Sequence, residues 1–159
     1  EIYTLSLHDA LPICVSTMIA ARITEQDALA QARLLLVDDE SAFRRALGRQ
    51  LEHRGIALTA VGCCAEALRH LELEPVDVVI MDMQMPGLDG VACLRRIKRR
   101  WPQAEVIFLT AHASVQSGTA GMAGGAFDYC LKPIDISELL DRVELAAQKA
   151  LINRESGAL

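Results

Sequence analysis

The stretches Arg33-Leu34-Leu35-Leu36-Val37-Asp38-Asp39 and Val78-Val79-Ile80-Met81-Asp82 decide the fold. Each is a short apolar run that ends in acid. Such runs, bounded by polar residues, read as strands buried on both faces. Carboxylates rarely end strands of this kind unless something pairs with them. If the two strands are parallel neighbours, Asp38, Asp39 and Asp82 meet at the carboxyl edge of the sheet, where open α/β sheets bind ligands. Three acids within about 5 Å repel one another by roughly 3 kcal/mol per pair at an effective dielectric near 20, so the cluster draws in a cation. Magnesium suits it, because it takes one or two carboxylates, keeps several waters and accepts phosphate oxygens. With Lys132 arriving later in the chain, the pattern points to a magnesium site built around a phosphate acceptor.

Outward from these runs, strand and helix patterns alternate. Apolar runs fall at 33–37, 57–61, 76–81, 105–110 and 126–131. Phe43, Leu47 and Leu51 recur on one helical face, and Gly55 is placed to stop that helix. Ala67, Leu68 and Leu71 follow the second strand, with Pro75 as the break. Gly87 and Gly90 bracket a tight turn, after which Val91, Leu94, Ile97 and Trp101 form a helical stripe ended by Pro102. Ser114 is placed to cap a Gly- and Ala-rich helix through about residue 123, the least anchored of the set. Asp135 and Glu138 have capping-box spacing, and Leu139, Leu140, Val143 and residues 145–151 supply the buried side of the last helix. Five βα units imply a parallel sheet covered on both faces, an α/β three-layer sandwich. Fold precedent adds the flavodoxin-like (βα)5 strand order 2-1-3-4-5, with its switch point between strands 1 and 3.

Composition narrows the function. The 159 residues, 52% hydrophobic and 23% charged, suit one globular domain. The net charge of −5 argues against nonspecific nucleic-acid binding. No apolar run approaches the roughly 20 residues that span a bilayer. Cys14, Cys63, Cys64, Cys93 and Cys130 show no CxxC pair, so they are expected to be reduced thiols of a cytoplasmic protein. Residues 1–14 fit nothing that follows and resemble a sequencing-library adapter translated in frame, so they are expected to be non-native. On that reading the native start is Met18 or belongs to an absent upstream part. Residues 15–31 form a polar lead-in with helical character over 18–32.

Four motifs then stand together. Leu35-Leu36-Val37-Asp38-Asp39-Glu40, Met81-Asp82-Met83-Gln84-Met85-Pro86-Gly87-Leu88-Asp89-Gly90, Leu109-Thr110-Ala111 and Lys132-Pro133 resemble the receiver domain of bacterial two-component response regulators, here of the single-domain type, over residues 32–150. The resemblance implies that Asp82 is the phosphoacceptor, that Asp39 with Asp38 and the backbone carbonyl of Gln84 holds Mg²⁺, and that Thr110 contacts the phosphoryl group. It implies that Lys132 neutralises charge before a cis peptide bond to Pro133. Tyr129 matches the aromatic switch position, paired in its motion with Thr110. Gln84 and His112 occupy positions that tune the lifetime of the phosphoryl group. The implied partners are a sensor histidine kinase or phosphotransfer protein and a downstream protein meeting the fourth strand, fifth strand and last helix. No direct nucleic acid or membrane contact is expected, and the tail at 151–159 is too short for an output domain. The product is a signalling switch that catalyses its own phosphorylation and dephosphorylation, not a turnover enzyme.

Other readings remain open from the residues. A phosphatase of the haloacid-dehalogenase type also uses an aspartyl phosphate, but needs a DxD after strand 1, where this chain has Asp38-Asp39-Glu40. A flavodoxin-like cofactor module needs a hydroxyl- and glycine-rich loop there. A receiver cut from a hybrid kinase or transcription regulator fits the same motifs. Arg95, Arg96, Lys98, Arg99 and Arg100 read as a solvated basic face favoured near a helix C-terminus, and His53 and His70 as surface residues.

Overall fold

The computed structural model describes residues 25–112 and 115–157. Helix α1 (Glu25–Gln31) precedes β1 (Leu34–Val37), α2 (Ser41–Glu52), β2 (Leu58–Val61), α3 (Cys64–Leu73) and β3 (Val78–Asp82). Then come α4 (Gly90–Arg100), β4 (Glu105–Thr110), α5 (Val115–Ala123), β5 (Asp128–Leu131) and α6 (Ile136–Gly157). The strands form one parallel sheet of order β2-β1-β3-β4-β5. Val37 pairs with Met81, so the chains leave β1 and β3 side by side.

The strands alternate their side chains between two apolar layers, because successive residues point to opposite faces. Leu34, Leu36, Val78, Ile80, Ile107 and Leu109 pack with Leu47 and Leu51 of α2 and Leu139, Val143 and Leu151 of α6. Leu35, Val37, Val79, Met81, Val106 and Phe108 pack with Ala67 and Leu71 of α3 and Val91, Leu94 and Ile97 of α4. Helix α1 lies against α6, and its Ala28 and the following Ala32 join the first layer beside Ala146 and Ala147.

The punctuation falls where the turn chemistry puts it. Gly55 adopts φ +73°, and Ile56 N–H donates to Leu51 O at 3.0 Å, closing α2. Asp135 accepts from the Ser137 N–H at 2.7 Å at the start of α6, but Glu138 takes Arg142 at 3.0 Å instead of completing a capping box. Ser114 lies outside the described residues, as do residues 1–24.

Three further expectations need correction. Leu145 is 55% exposed, because the 3.6-residue period turns it away from the face that buries Val143, Ala146 and Ala147. Lys98 does not belong to the solvated basic face: its ammonium donates to Ala104 O at 2.7 Å and meets buried Glu105 at 3.4 Å. Cys64 and Cys93 are not free thiols but a disulfide, with Cα atoms 6.0 Å apart. Helices α3 and α4 pack side by side on one sheet face and bring their first turns together, a proximity that a separation of 29 residues does not announce. Cys63 and Cys130 are free, and Cys14 lies outside the described residues.

The amino edge of the sheet is closed by a clamp. Asp77, just before β3, is buried and accepts from Arg33 N, Nε and Nη2 at 2.9, 2.9 and 2.8 Å and from Arg154 Nη1 at 3.3 Å. Burial favours the protonated form of Asp77, but the hydrogen bonds and charge of Arg33, with the charge of Arg154, prevail and hold its carboxyl below the usual range. The folded pKa is thus the lower one, so the clamp contributes fully above the unfolded pKa and is lost as pH falls through the folded one. Asp77→Asn is expected to be less stable by about 3 kcal/mol at neutral pH. In urea titrations between about pH 6 and about pH 3 it should lose less stability than the wild type; equal losses would contradict the assignment.

Candidate functional site

At the opposite, carboxyl edge, β1 and β3 deliver their acids. Asp38 is fully buried. Its Oδ1 accepts the Glu40 N–H at 2.9 Å, its Oδ2 receives the Lys132 ammonium at 2.6 Å, and its carbonyl accepts Arg44 Nη1 at 2.6 Å. Asp39 is exposed beside it. Asp82, the last residue of β3, is partly buried; its Oδ1 accepts the Gln84 N–H at 2.9 Å and its Oδ2 lies 3.4 Å from Lys132 Nζ. One carboxylate oxygen from each of Asp38, Asp39 and Asp82 lies within 4.8 Å of the others.

Lys132 arrives from the end of β5. Its N–H donates to Thr110 O at 2.7 Å, and the peptide bond to Pro133 is cis. Its ammonium also sits 4.0 Å from the Phe43 ring centroid, a cation–π contact. Burial works against the lysine's charge, but the hydrogen bond and attraction of Asp38, then of Asp82, prevail and raise its pKa above the ordinary lysine value.

The loops are built for close approach. Gly87 has φ +92°, and a Cβ on Gly90 would lie 2.8 Å from the Met83 backbone. The N-terminus of α4 therefore rests directly on the loop that follows Asp82, with the Gly90 N–H donating to Met83 O at 3.2 Å. Gln84 is exposed on that loop.

On the β4 side, Thr110 is buried. Its hydroxyl donates to His112 O at 3.2 Å and accepts the His112 N–H at 3.3 Å. The Tyr129 hydroxyl donates to the same carbonyl at 3.3 Å. Thr110 and Tyr129 thus converge on the backbone of His112, whose side chain is exposed.

An all-carboxylate oxygen set suits a hard cation such as Mg²⁺ rather than a thiolate- or imidazole-seeking metal. The residues present fit that ion: two acids are reachable from solvent, and the third is held by a lysine that supplies counter-charge. Sequence reasoning treated Phe43 only as core and did not single out Arg44. Their positions four and five residues after Asp39, in the first turn of α2, were the available signal.

The sequence matches the response regulator receiver domain over residues 34–144. The chain belongs to this family. Among relatives, the DNA-binding transcriptional regulator NtrC of Escherichia coli K12 is 41% identical over 111 residues, which cover 70% of this chain and 24% of that protein. The response regulator protein FleR of Pseudomonas aeruginosa is 39% identical over 112 residues, again 70% of this chain and 24% of that protein. Among solved structures, the beryllofluoride-activated NtrC4 receiver domain dimer is 29% identical with a TM-score of 0.70, covering 74% of this chain and 98% of that one. A Francisella receiver domain gives 29% and 0.69, covering 75% and 98%. The receiver domain described here therefore spans under a third of the length of the regulators it matches.

Two outcomes test the site. Lys132→Ala leaves Asp38 buried without its cation and is expected to lower stability by about 3–5 kcal/mol in thermal or urea melts. Millimolar Mg²⁺ should restore more stability to this variant than to wild type, because the ion replaces the missing charge. Gly90→Ala forces a methyl group into the Met83 backbone and is expected to cost about 1–3 kcal/mol in the same melts.

Proposed function

We propose that this receiver domain is the phosphoacceptor switch of a two-component relay, phosphorylated on Asp82 by the phosphohistidine of a sensor histidine kinase or phosphotransfer protein. The observation that carries the reading is the convergence of Asp38, Asp39 and Asp82, with Lys132 bridging Asp38 and Asp82.

Asp38, Asp39, Asp82 and the backbone carbonyl of Gln84 are the groups that would hold Mg²⁺. When bound, the ion supplies positive charge for the oxygens of the transferred group. The chain's own residues do the rest. The Gln84 N–H fixes one oxygen of Asp82 and leaves the other beside Lys132. The carboxylate attacks phosphorus, an O–P bond forms, and the donor's P–N bond breaks with its electron pair returning to the imidazole. Lys132 neutralises charge that would otherwise accumulate in a half-buried site; such transfers need positioning and neutralisation more than covalent help.

The new phosphoryl oxygens compete for the Thr110 hydroxyl, drawing it off the His112 backbone. Tyr129, which shares that carbonyl, then swings inward. The change biases the face formed by β4, β5 and α6, with α5 alongside, toward a downstream protein. Leu131 and Leu145 are about half exposed on β5 and α6. Gln84 and His112 control the access of water and so the lifetime of the phosphoryl group. The protein works as a signalling module, not as a turnover enzyme, and acts in the cytoplasm. Among the described residues, no helix is long and apolar enough to cross a membrane. The 24% coverage of NtrC-type relatives supports a second reading, in which the domain is the receiver part of a larger regulator or hybrid kinase.

Incubation with acetyl phosphate and Mg²⁺ is expected to add one phosphoryl group by intact mass, absent with EDTA and in both Asp82→Ala and Asp82→Asn. Label retained in folded Asp82→Asn would overturn the assignment.

A further inference from the structure

The Cys64–Cys93 bond joins α3 to α4 one turn from the Gly90–Met83 contact. Cys64 is the first residue of α3 and lines an open surface groove with Leu88, Arg69, Arg96 and Glu72. Glu72 is paired with Arg100 at 2.5 Å, which leaves Arg69 and Arg96 as the cations of that groove. Of the two half-cystines, Cys64 is the one that lines this groove. Both sulfur-bearing residues are buried, but Cys64 keeps 5% exposure at the groove whereas Cys93 has none.

We propose that Cys64 and Cys93 form a reversible thiol–disulfide site, Cys64 being the group that meets a hydroperoxide and Cys93 the resolving thiol. The Cys64 thiolate attacks the peroxide oxygen; the O–O bond breaks, leaving a sulfenic acid and, after protonation, water or an alcohol. The Cys93 sulfur attacks the sulfenic sulfur, the S–S bond forms, and water leaves with the Cys93 proton. A dithiol reductant returns both thiols and is itself oxidised to a disulfide. The bond ties the first turn of α4 to α3. That turn bears on the Met83 backbone, and the same loop donates the Gln84 N–H to Asp82. The redox state therefore sets the stiffness of the loop behind Asp82.

Wild type is reduced with a dithiol, challenged with hydrogen peroxide, and read by mass after alkylation of its remaining thiols. The expected result is one Cys64–Cys93 bond that the dithiol reverses in native protein; Cys63→Ser behaves alike and Cys64→Ser forms no such bond. In hydrogen exchange, amides across 83–94 are expected to exchange at least ~10-fold more slowly in oxidised than in reduced wild type, a comparison that needs no variant to fold. Thiols that ignore peroxide, a bond that resists the dithiol, or equal exchange in the two forms would overturn the proposal. Labelling by acetyl phosphate, a readout that rests on the phosphoacceptor reading, is expected to be faster in the oxidised form. Equal rates would remove the coupling alone, whereas no label in either form would sink that reading and leave the two redox readouts standing.

Discussion

The Lys132 ammonium, lodged between carboxylates from two different strands, is the interaction on which the carboxyl edge depends. Asp38 is shut away from water, and a buried carboxylate without a cation is among the costliest arrangements a fold can hold. Lys132 meets that need from the far side of the sheet, so β1, β3 and β5 are tied through charge as well as through backbone pairing. The ring of Phe43 beneath the ammonium confines it further.

The two edges of the sheet treat buried acid differently. At the amino edge, Asp77 is saturated by Arg33 and Arg154, and Glu105 is met by Lys98 and Lys149. Those acids have fixed partners and read as architecture. At the carboxyl edge, among the described residues, Lys132 serves the carboxylates of both Asp38 and Asp82, Arg44 reaches only the Asp38 backbone carbonyl, and Asp39 faces solvent. This shortage of positive charge leaves the edge suited to a hard cation.

Much of this was legible before any coordinates. Buried strands advertise themselves as unbroken apolar runs, and turns as glycine or proline at fixed places, so the strand order, the Gly55 and Gly87 turns and the meeting of Asp38, Asp39 and Asp82 could be read from spacing and fold precedent. Relations between helices could not. The Cys64–Cys93 bond, the turn of Lys98 back toward Glu105 and the Arg33–Asp77–Arg154 clamp each join residues far apart in sequence or bend a long side chain against its apparent face. Periodicity reports which face of an element is apolar, but it does not say which element will lie next to it.

The seam between α1 and α6 has a mechanical consequence. Ala28 and Ala32 share one apolar cluster with Ala146 and Ala147, and side chains this small let two helices lie close. A rolling motion of α6 cannot leave α1 behind without opening that seam to water. The leading helix is thus geared to the trailing one, and a displacement begun at either is carried to the other.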